Sequence, residues 1–484
     1  LAVQVAIAWN YGFGKQFLNR YNAIIPNTLV YYDGIKTDYF VDENELNEFN
    51  IQLDKNLENP EFVHSMIPEA KEFVEERYES IKNMIKDANQ LSNPKLAALY
   101  SKFSKHHGNY YTRMWMVFRI CERVVNKVEK MLMETIKDKD KVKEMSRIFS
   151  TPLKPNDVTD ERIDMLKLLI RNGELDDEKR RQELAKHTNK YQHIPMFDFD
   201  HKPFDYKHFA NEIEKIKNPI DELKRIEISF EKRKQDFEIA LHLVNGNQEL
   251  DNMIKMLKKA VVLRDHRDMV RQKLNLAIKE LYQTIGARIG LSVEETALLT
   301  NVEIEDHLNR STNFDKNEIK NRKKSFLLFQ TDVESNEKIE ILSNKKAIQK
   351  AEELKLYKTM EDEKIENAIK ETIIMQGIAA NTKRIGGIAK IVHTNLDFDK
   401  VKEGDIIISS MTRQDFVPVM RRASGVVTNE GSITCHTAII ARELGLPCVV
   451  GTQTATQIIN DGDLIFIDGE KGSVEIVRKG HRED

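Results

Sequence analysis

Cysteine is scarce. Cys121, Cys435 and Cys448 are all that the 484-residue chain holds, and no two of them form a CxxC pair. A disulfide framework is thereby excluded, and a reducing, cytoplasmic setting is expected. Runs of about 18 apolar residues are also missing, so no spanning helix is expected. The apolar opening Leu1–Trp9 has neither the basic flank nor the cleavage-like site of a leader. Neither sign of charge prevails: 75 Lys+Arg stand against 78 Asp+Glu, a net charge of -3. Nothing in that balance supports a nucleic-acid or membrane-surface partner. No internal repeat is present. The first residue is Leu rather than Met, which reads as a processed start or as a piece of a longer protein. What the chain does have is charge and length. Charged residues make up 32% and hydrophobic ones 40%, as in a helix-rich protein with solvated outer faces. The length implies two or three domains.

Residues 1–60 are a mixed segment, in keeping with the tail of a missing upstream domain. Within it Asn27–Tyr32, Asp33-Gly34 and Thr37–Val41 read as strand, turn and strand. Residues 61–330 have helical periodicity, for example Leu250, Met253, Ile254, Leu257 and Val261, with breaks at Gly246 and Gly290. A pair of antiparallel helices is expected across 222–289. Residues 331–372 are charged and lack Gly and Pro, and read as a solvated linker. From 373 to 484 short β-branched runs alternate with Gly-rich turns and helical pieces at about 415–422 and 436–444, as in a compact α/β domain.

The stretch with most chemistry is Gly425–Thr452, GVVTNEGSITCHTAIIARELGLPCVVGT. A strand enters a small polar loop, a helix opens near His436, and Gly445 and Pro447 stop it. A histidine at such a junction lies beside unpaired helix N–H groups that favour an anion. Small residues let phosphate approach, Thr434 adds a hydroxyl donor, and a neutral imidazole nitrogen is a nucleophile toward phosphorus. The other ring nitrogen needs a holder, and the sequence does not identify it. The bland alternative is a surface histidine that begins a helix.

This string strongly resembles the phosphohistidine motif of the phosphoenolpyruvate-utilising enzyme family, as in phosphoenolpyruvate synthase, pyruvate phosphate dikinase and rifampicin phosphotransferase. Thr434-Cys435-His436, Ala438 to Gly445, Pro447 and Val449-Val450-Gly451 carry the likeness, which covers about 373–478. Where the family usually has Gly-Gly, this chain has Gly431-Ser432, and Thr437 replaces the usual Ala. Ser432 either restricts the loop or adds a donor to the phosphate.

The resemblance implies a multidomain protein, a mainly α-helical, acceptor-binding body followed by a compact α/β phosphohistidine swivel domain. His436 and Thr434 would be catalytic, and Gly431, Ser432, Cys435 and Thr437 would cradle the phosphate. Arg442 would touch phosphate or a partner, or else be a solvated helix arginine. The implied function is a phosphotransferase that carries a phosphoryl group on His436 from a loading station to an acceptor. The alternative is a non-catalytic phosphohistidine regulatory or interaction module. No cofactor is expected on this chain alone. Mg2+ and ATP or phosphoenolpyruvate belong to an ATP-grasp-type loading domain or subunit, whose Gly-rich loop and metal carboxylates the chain lacks. The other expected partner is a small-molecule acceptor. The swivel should have few apolar contacts with the helical body.

Weaker signals keep two readings each. Tyr110 and Trp115, within the aromatic-rich 103–118, would line an acceptor pocket or pack a helix. Arg264 and Arg267 fall on a charged helix face that also resembles an Arg-rich helix of rifampicin phosphotransferase. His193, Asp198, Asp200 and His201 would bind a divalent cation or belong to a packed connection.

Overall fold

A computed structural model describes Val3, Ile7 and residues 28–34, 37–171, 176–197, 201–244, 246–310, 315–330, 339–354, 356, 374–381 and 383–480. It is mostly helical with an α/β sheet region at the C-terminal end, and its contacts divide it into two compact units. No helix among the described residues is long and apolar enough to cross a membrane.

The first unit combines residues 1–123, 198–202 and 267–364. Its sheet is antiparallel, with strand order β2-β1-β3-β4: β1 is Thr28–Tyr32, β2 Thr37–Val41, β3 Phe326–Gln330 and β4 Ile339–Ser343. The expected strand–turn–strand is present. Its partner is a surprise, because β1 pairs along its whole length with β3. The segment from 28 is thus built into the unit's own sheet, and does not stand apart as the tail of another body. The helices are α1 (Glu43–Leu57), α2 (Pro60–Ile85), α3 (Asn93–Ile136), which continues into the second unit, α10 (Asn301–Arg310), α11 (Lys316–Lys324) and α12 (Lys345–Glu353).

Part of the expected linker is also structured. Residues 339–343 form β4, and Lys345–Glu353 form a helix whose Ala347 and Ala351 are buried with Tyr31 and Leu327. Ile339 and Ile341 pack on the larger core. One apolar face per element is enough for an edge strand and an amphipathic helix, and the charged outer faces hide it in the sequence. Residues 331–338, 355 and 357–373 lie outside the described residues.

The second unit combines 124–197, 203–266 and 365–484. Its helices are α4 (Lys139–Phe149), α5 (Asp157–Arg171), α6 (Asp177–Tyr191), α7 (Tyr206–Glu214), α8 (Pro219–Leu243) and the first part of α9 (Gln248–Ile289). The break between α8 and α9 includes Gly246 (φ 109), and α9 ends at Gly290 (φ 76), a left-handed stop that a side chain would strain.

The sheet of this unit has the order β5-β12-β11-β7-β8-β9-β10-β6. The strands are β5 (Ile374–Gln376), β6 (Ile378–Asn381), β7 (Arg384–Ile391), β8 (Ile406–Ser409), β9 (Gly425–Thr428), β10 (Cys448–Val450), β11 (Leu464–Asp468) and β12 (Ser473–Arg478). β7, β8, β9 and β10 are mutually parallel. Ile406, Ile407 and Ile408 are fully buried, as expected for a parallel strand covered on both faces.

One face of this sheet packs on helices. Met165, Leu184, Tyr191, Ile194 and Phe209 share a buried cluster with Val392, Ile407, Phe416, Val417 and Met420. The expectation of few apolar contacts is therefore corrected. The 61–330 stretch does not act as one body, because α5, α6 and α7 share a core with the C-terminal sheet. His193 Nε2 donates to the Asp157 carboxylate at 2.6 Å, and Arg413 stacks over Phe197 at 4.6 Å, so the described part of this connection is packed. Asp198 and Asp200 lie outside the described residues. Among the described residues no group of three or more His, Cys, Asp or Glu is placed to hold a metal ion.

Candidate functional site

The site is built at the carboxyl ends of β8 and β9, where open α/β sheets commonly place ligands. The loop after β9 is anchored first at Asn429. Its side chain donates to Thr456 Oγ1 (2.6 Å) and accepts from Thr456 N (2.9 Å), while its backbone N–H donates to the Ser409 carbonyl. The chain then turns at Gly431, φ 130. A Cβ there would lie 2.8 Å from Cys435 Sγ and 3.1 Å from Val450 Cβ, so only glycine fits. Ser432 is not among the positive-φ residues. The departure from Gly-Gly therefore costs the loop no backbone strain.

Cys435 is the N-cap of the helix that follows, α13 (His436–Leu444), and its Sγ accepts from Ala438 N at 3.4 Å. Gly445 ends α13 in the left-handed conformation, and Leu446 N–H donates to the Ala441 carbonyl.

His436 is half-buried on the first turn of α13. Its Nδ1 is 3.3 Å from Thr412 Oγ1, which is itself 2.9 Å from Thr437 Oγ1. Thr412 and Thr437 are 4% and 2% exposed. A hydroxyl has one proton and two lone pairs. When Thr412 donates to Thr437 it accepts from Nδ1–H, and the Nε2 lone pair is then the nucleophilic one.

A second chain of hydrogen bonds supports the loop. Arg264 Nη1 donates to Thr434 Oγ1 (2.8 Å), and Thr434 Oγ1 is 3.1 Å from Ser432 Oγ. Arg264 is 8% exposed and Thr434 1%. Thr434 is thus inside, held between an arginine and a serine.

The residues named from sequence sort as follows. His436, Thr437, Cys435, Gly431, Ser432 and Thr434 come together, but Thr437 and Cys435 serve the Thr412 hydroxyl and the helix start. Arg442 Nη2 donates to the Ile433 carbonyl (2.7 Å), tying α13 back to the loop. Burial pushes its guanidinium down to about 10, with Cys435 opposing and Arg233 and Arg147 adding to the effect. Arg264 joins the site. Tyr110 and Arg267 meet in the first unit instead, where the Tyr110 phenol donates to the Arg267 carbonyl at 3.2 Å. The Trp115 side chain lies outside the described residues. Thr412 was missed. Its only sequence signal is a position just past the end of β8, the parallel neighbour of β9.

Comparison with known proteins bears on this segment. Residues 401–472 match the family model of the PEP-utilising enzyme, mobile domain. The C-terminal region is also where the chain is similar to curated proteins. A "Probable phosphoenolpyruvate synthase" of Archaeoglobus fulgidus is 42% identical over 113 residues, 23% of this chain and 15% of the relative. One of Methanothermobacter thermautotrophicus is 45% identical over 102 residues, 21% and 15%. The phosphoenolpyruvate synthase of Pseudomonas aeruginosa is 43% identical over 111 residues, 23% and 14%. The matched region thus spans about 15% of the length of these relatives.

Proposed function

We propose that this chain is a phosphotransferase component in which His436 of the mobile domain carries a phosphoryl group. The observation that carries the reading is the Thr412 hydroxyl at 3.3 Å from His436 Nδ1, on the first turn of a helix, inside the matched segment. The Nε2 lone pair attacks the phosphorus of a donor, a P–N bond forms, and the bond to the leaving oxygen breaks. An acceptor oxygen then attacks, the P–N bond breaks, and neutral imidazole is regenerated with its Nδ1 proton still held by Thr412. The amide groups at the head of α13 and the Ser432 hydroxyl are the donors available to the phosphoryl oxygens. In the arrangement where Thr434 gives its proton to Ser432, the Ser432 proton is left for an incoming oxygen.

The donor is ATP or phosphoenolpyruvate, handled with Mg2+ by an ATP-grasp-type loading domain or subunit. The acceptor is a small molecule held by helical residues, and the setting is cytoplasmic. Two stations require motion. Because α5, α6 and α7 share a core with the sheet, the moving body includes these helices as well as residues 373–484. The same apolar seam is what favours the second reading, a phosphohistidine module that stores or signals the phosphorylated state without transfer. Single-turnover transfer from the phosphorylated chain separates the two. Loss of the label to a small-molecule fraction on adding loader and cell extract metabolites supports the relay; a label that leaves only by hydrolysis supports the module.

A further inference from the structure

A cleft of about 580 Å3 opens in the second unit, and its lining includes Arg147, Arg233, Asp236, Glu144 and Arg442 but not His436. Three elements bring guanidinium groups to it: α4 with Arg147, α8 with Arg233 and α13 with Arg442. The Lys258 ammonium of α9 is close enough to be repelled by Arg442 and Arg233. Among the described residues none of these four cations has a carboxylate in ion-pair range. Glu443 accepts from the Thr159 hydroxyl at 2.6 Å and is in electrostatic reach of Arg233 and Arg442, as Glu144 is of Arg147.

The hydrogen-bond count is more telling than the charge. Arg233 directs Nη2 to Ser229 Oγ (3.3 Å) and the Arg442 carbonyl (3.5 Å), with its plane over Phe230 at 4.3 Å. Its Nη1 is buried without a partner. Arg442 uses Nη2 on the Ile433 carbonyl, and its Nε and Nη1 are buried without partners. Three buried N–H-bearing nitrogens on two adjacent arginines are costly to leave unmet. A neutral ligand would satisfy the donors but not the charge. A tetrahedral oxyanion satisfies both, since guanidinium forks match its edges. Burial, with added repulsion from Arg442 and Arg233, holds Lys258 down to about 7, and an anion would relieve that repulsion.

We propose that this cleft is a second phosphate site, seating the phosphate group of a small molecule, or free phosphate, against Arg233 and Arg442. It lies apart from His436, and it stands whether or not His436 carries a phosphoryl group. Its occupancy would also reach the catalytic loop, because Arg442 holds the Ile433 carbonyl three residues before His436.

The test is calorimetric titration of the full chain with inorganic phosphate and with glycerol phosphate, at matched ionic strength with chloride and acetate as controls. The expected result is saturable one-site binding that persists in His436→Ala. It weakens about tenfold or more in Arg233→Gln, from the loss of one charge-assisted hydrogen bond. Arg147→Gln, at the cleft edge, should also weaken it and serves if circular dichroism finds Arg233→Gln unfolded. Tighter binding of glycerol phosphate than of phosphate identifies an ester as the occupant, and the reverse order identifies the free ion. No saturable binding by the unmodified chain, wild-type affinity in both arginine variants, or loss of binding in His436→Ala would each overturn the proposal.

Discussion

Thr412→Val is the substitution that most sharply probes how His436 is held. It keeps the shape of a 4%-exposed side chain and deletes one hydroxyl. Two contacts go with it: 3.3 Å to His436 Nδ1 and 2.9 Å to Thr437 Oγ1. Net hydrogen bonds contribute about 0.5–1.5 kcal/mol each, and a buried hydroxyl left unmet costs about 1–3 kcal/mol. Thr437 is 2% exposed and becomes that hydroxyl. The stability loss should be about 1–3 kcal/mol. The effect on transfer is separate. Losing about 1.4 kcal/mol of preference for the tautomer with Nε2 unprotonated lowers the phosphorylation rate about tenfold. Looser ring orientation adds to this. Thr412→Ser retains the hydroxyl and should recover most of the rate. Single-turnover phosphorylation of His436, read beside thermal melts and across pH, is the assay. A Thr412→Val protein that melts lower but is phosphorylated at the wild-type rate and pH profile would leave Thr412 with a structural role only and refute the reasoning.

Other expectations follow from the same geometry. Gly431→Ala must shift either Cys435 or the strand at Val450, and adds left-handed strain of about 1–3 kcal/mol; it should abolish His436 labelling while the rest of the domain still melts cooperatively. Lys258 is held near 7 in the fold against about 10.5 when unfolded. Between these values the unfolded chain holds a proton that the native one has shed, so stability should rise with pH across that window. Lys258→Met should flatten the rise in melts from pH 7 to 10, and an unchanged slope would contradict the burial argument. In the first unit Arg322 bonds both oxygens of Glu303 at 2.8 and 2.9 Å and the Leu298 carbonyl at 2.9 Å. Burial acts to raise the Glu303 carboxyl, but Arg322 outweighs it and holds the group below the usual range. Its stabilisation is present above the unfolded value and lost as pH falls through the folded one. Glu303→Gln should cost about 2–3 kcal/mol at neutral pH and much less in acid.

Local signals explain what the sequence made legible. The bounds of β9 and α13 could be read because each has a marker: a β-branched run, then small loop residues, then Gly445 and Pro447 as stops. β6 was not legible, since Ile378–Asn381 is short and half alanine, and becomes a strand only by pairing with β10. The segment 339–353 looked like a solvated linker because its apolar face is only two isoleucines, one leucine and two alanines. The apolar seam was invisible for another reason. Met165, Leu184 and Phe209 look like any helix core residues, and nothing local says that their partners are Val392, Phe416 and Val417. Thr412 and Arg264 fall in the same class. They reach the His436 loop from 24 and 170 residues away in sequence, through backbone topology alone.

The central claim is that His436 carries the phosphoryl group, and intact-mass analysis with site mapping tests it most directly. The chain is incubated with a loading domain, donor and Mg2+, and in parallel with phosphoramidate, which phosphorylates reactive imidazoles without an enzyme. The account predicts the gain of one phosphoryl group, labile in acid and stable in base, mapped to His436 and missing in His436→Ala. An enzymatic label that persists in His436→Ala, or a His436 that stays unmodified by phosphoramidate while other histidines react, would contradict it.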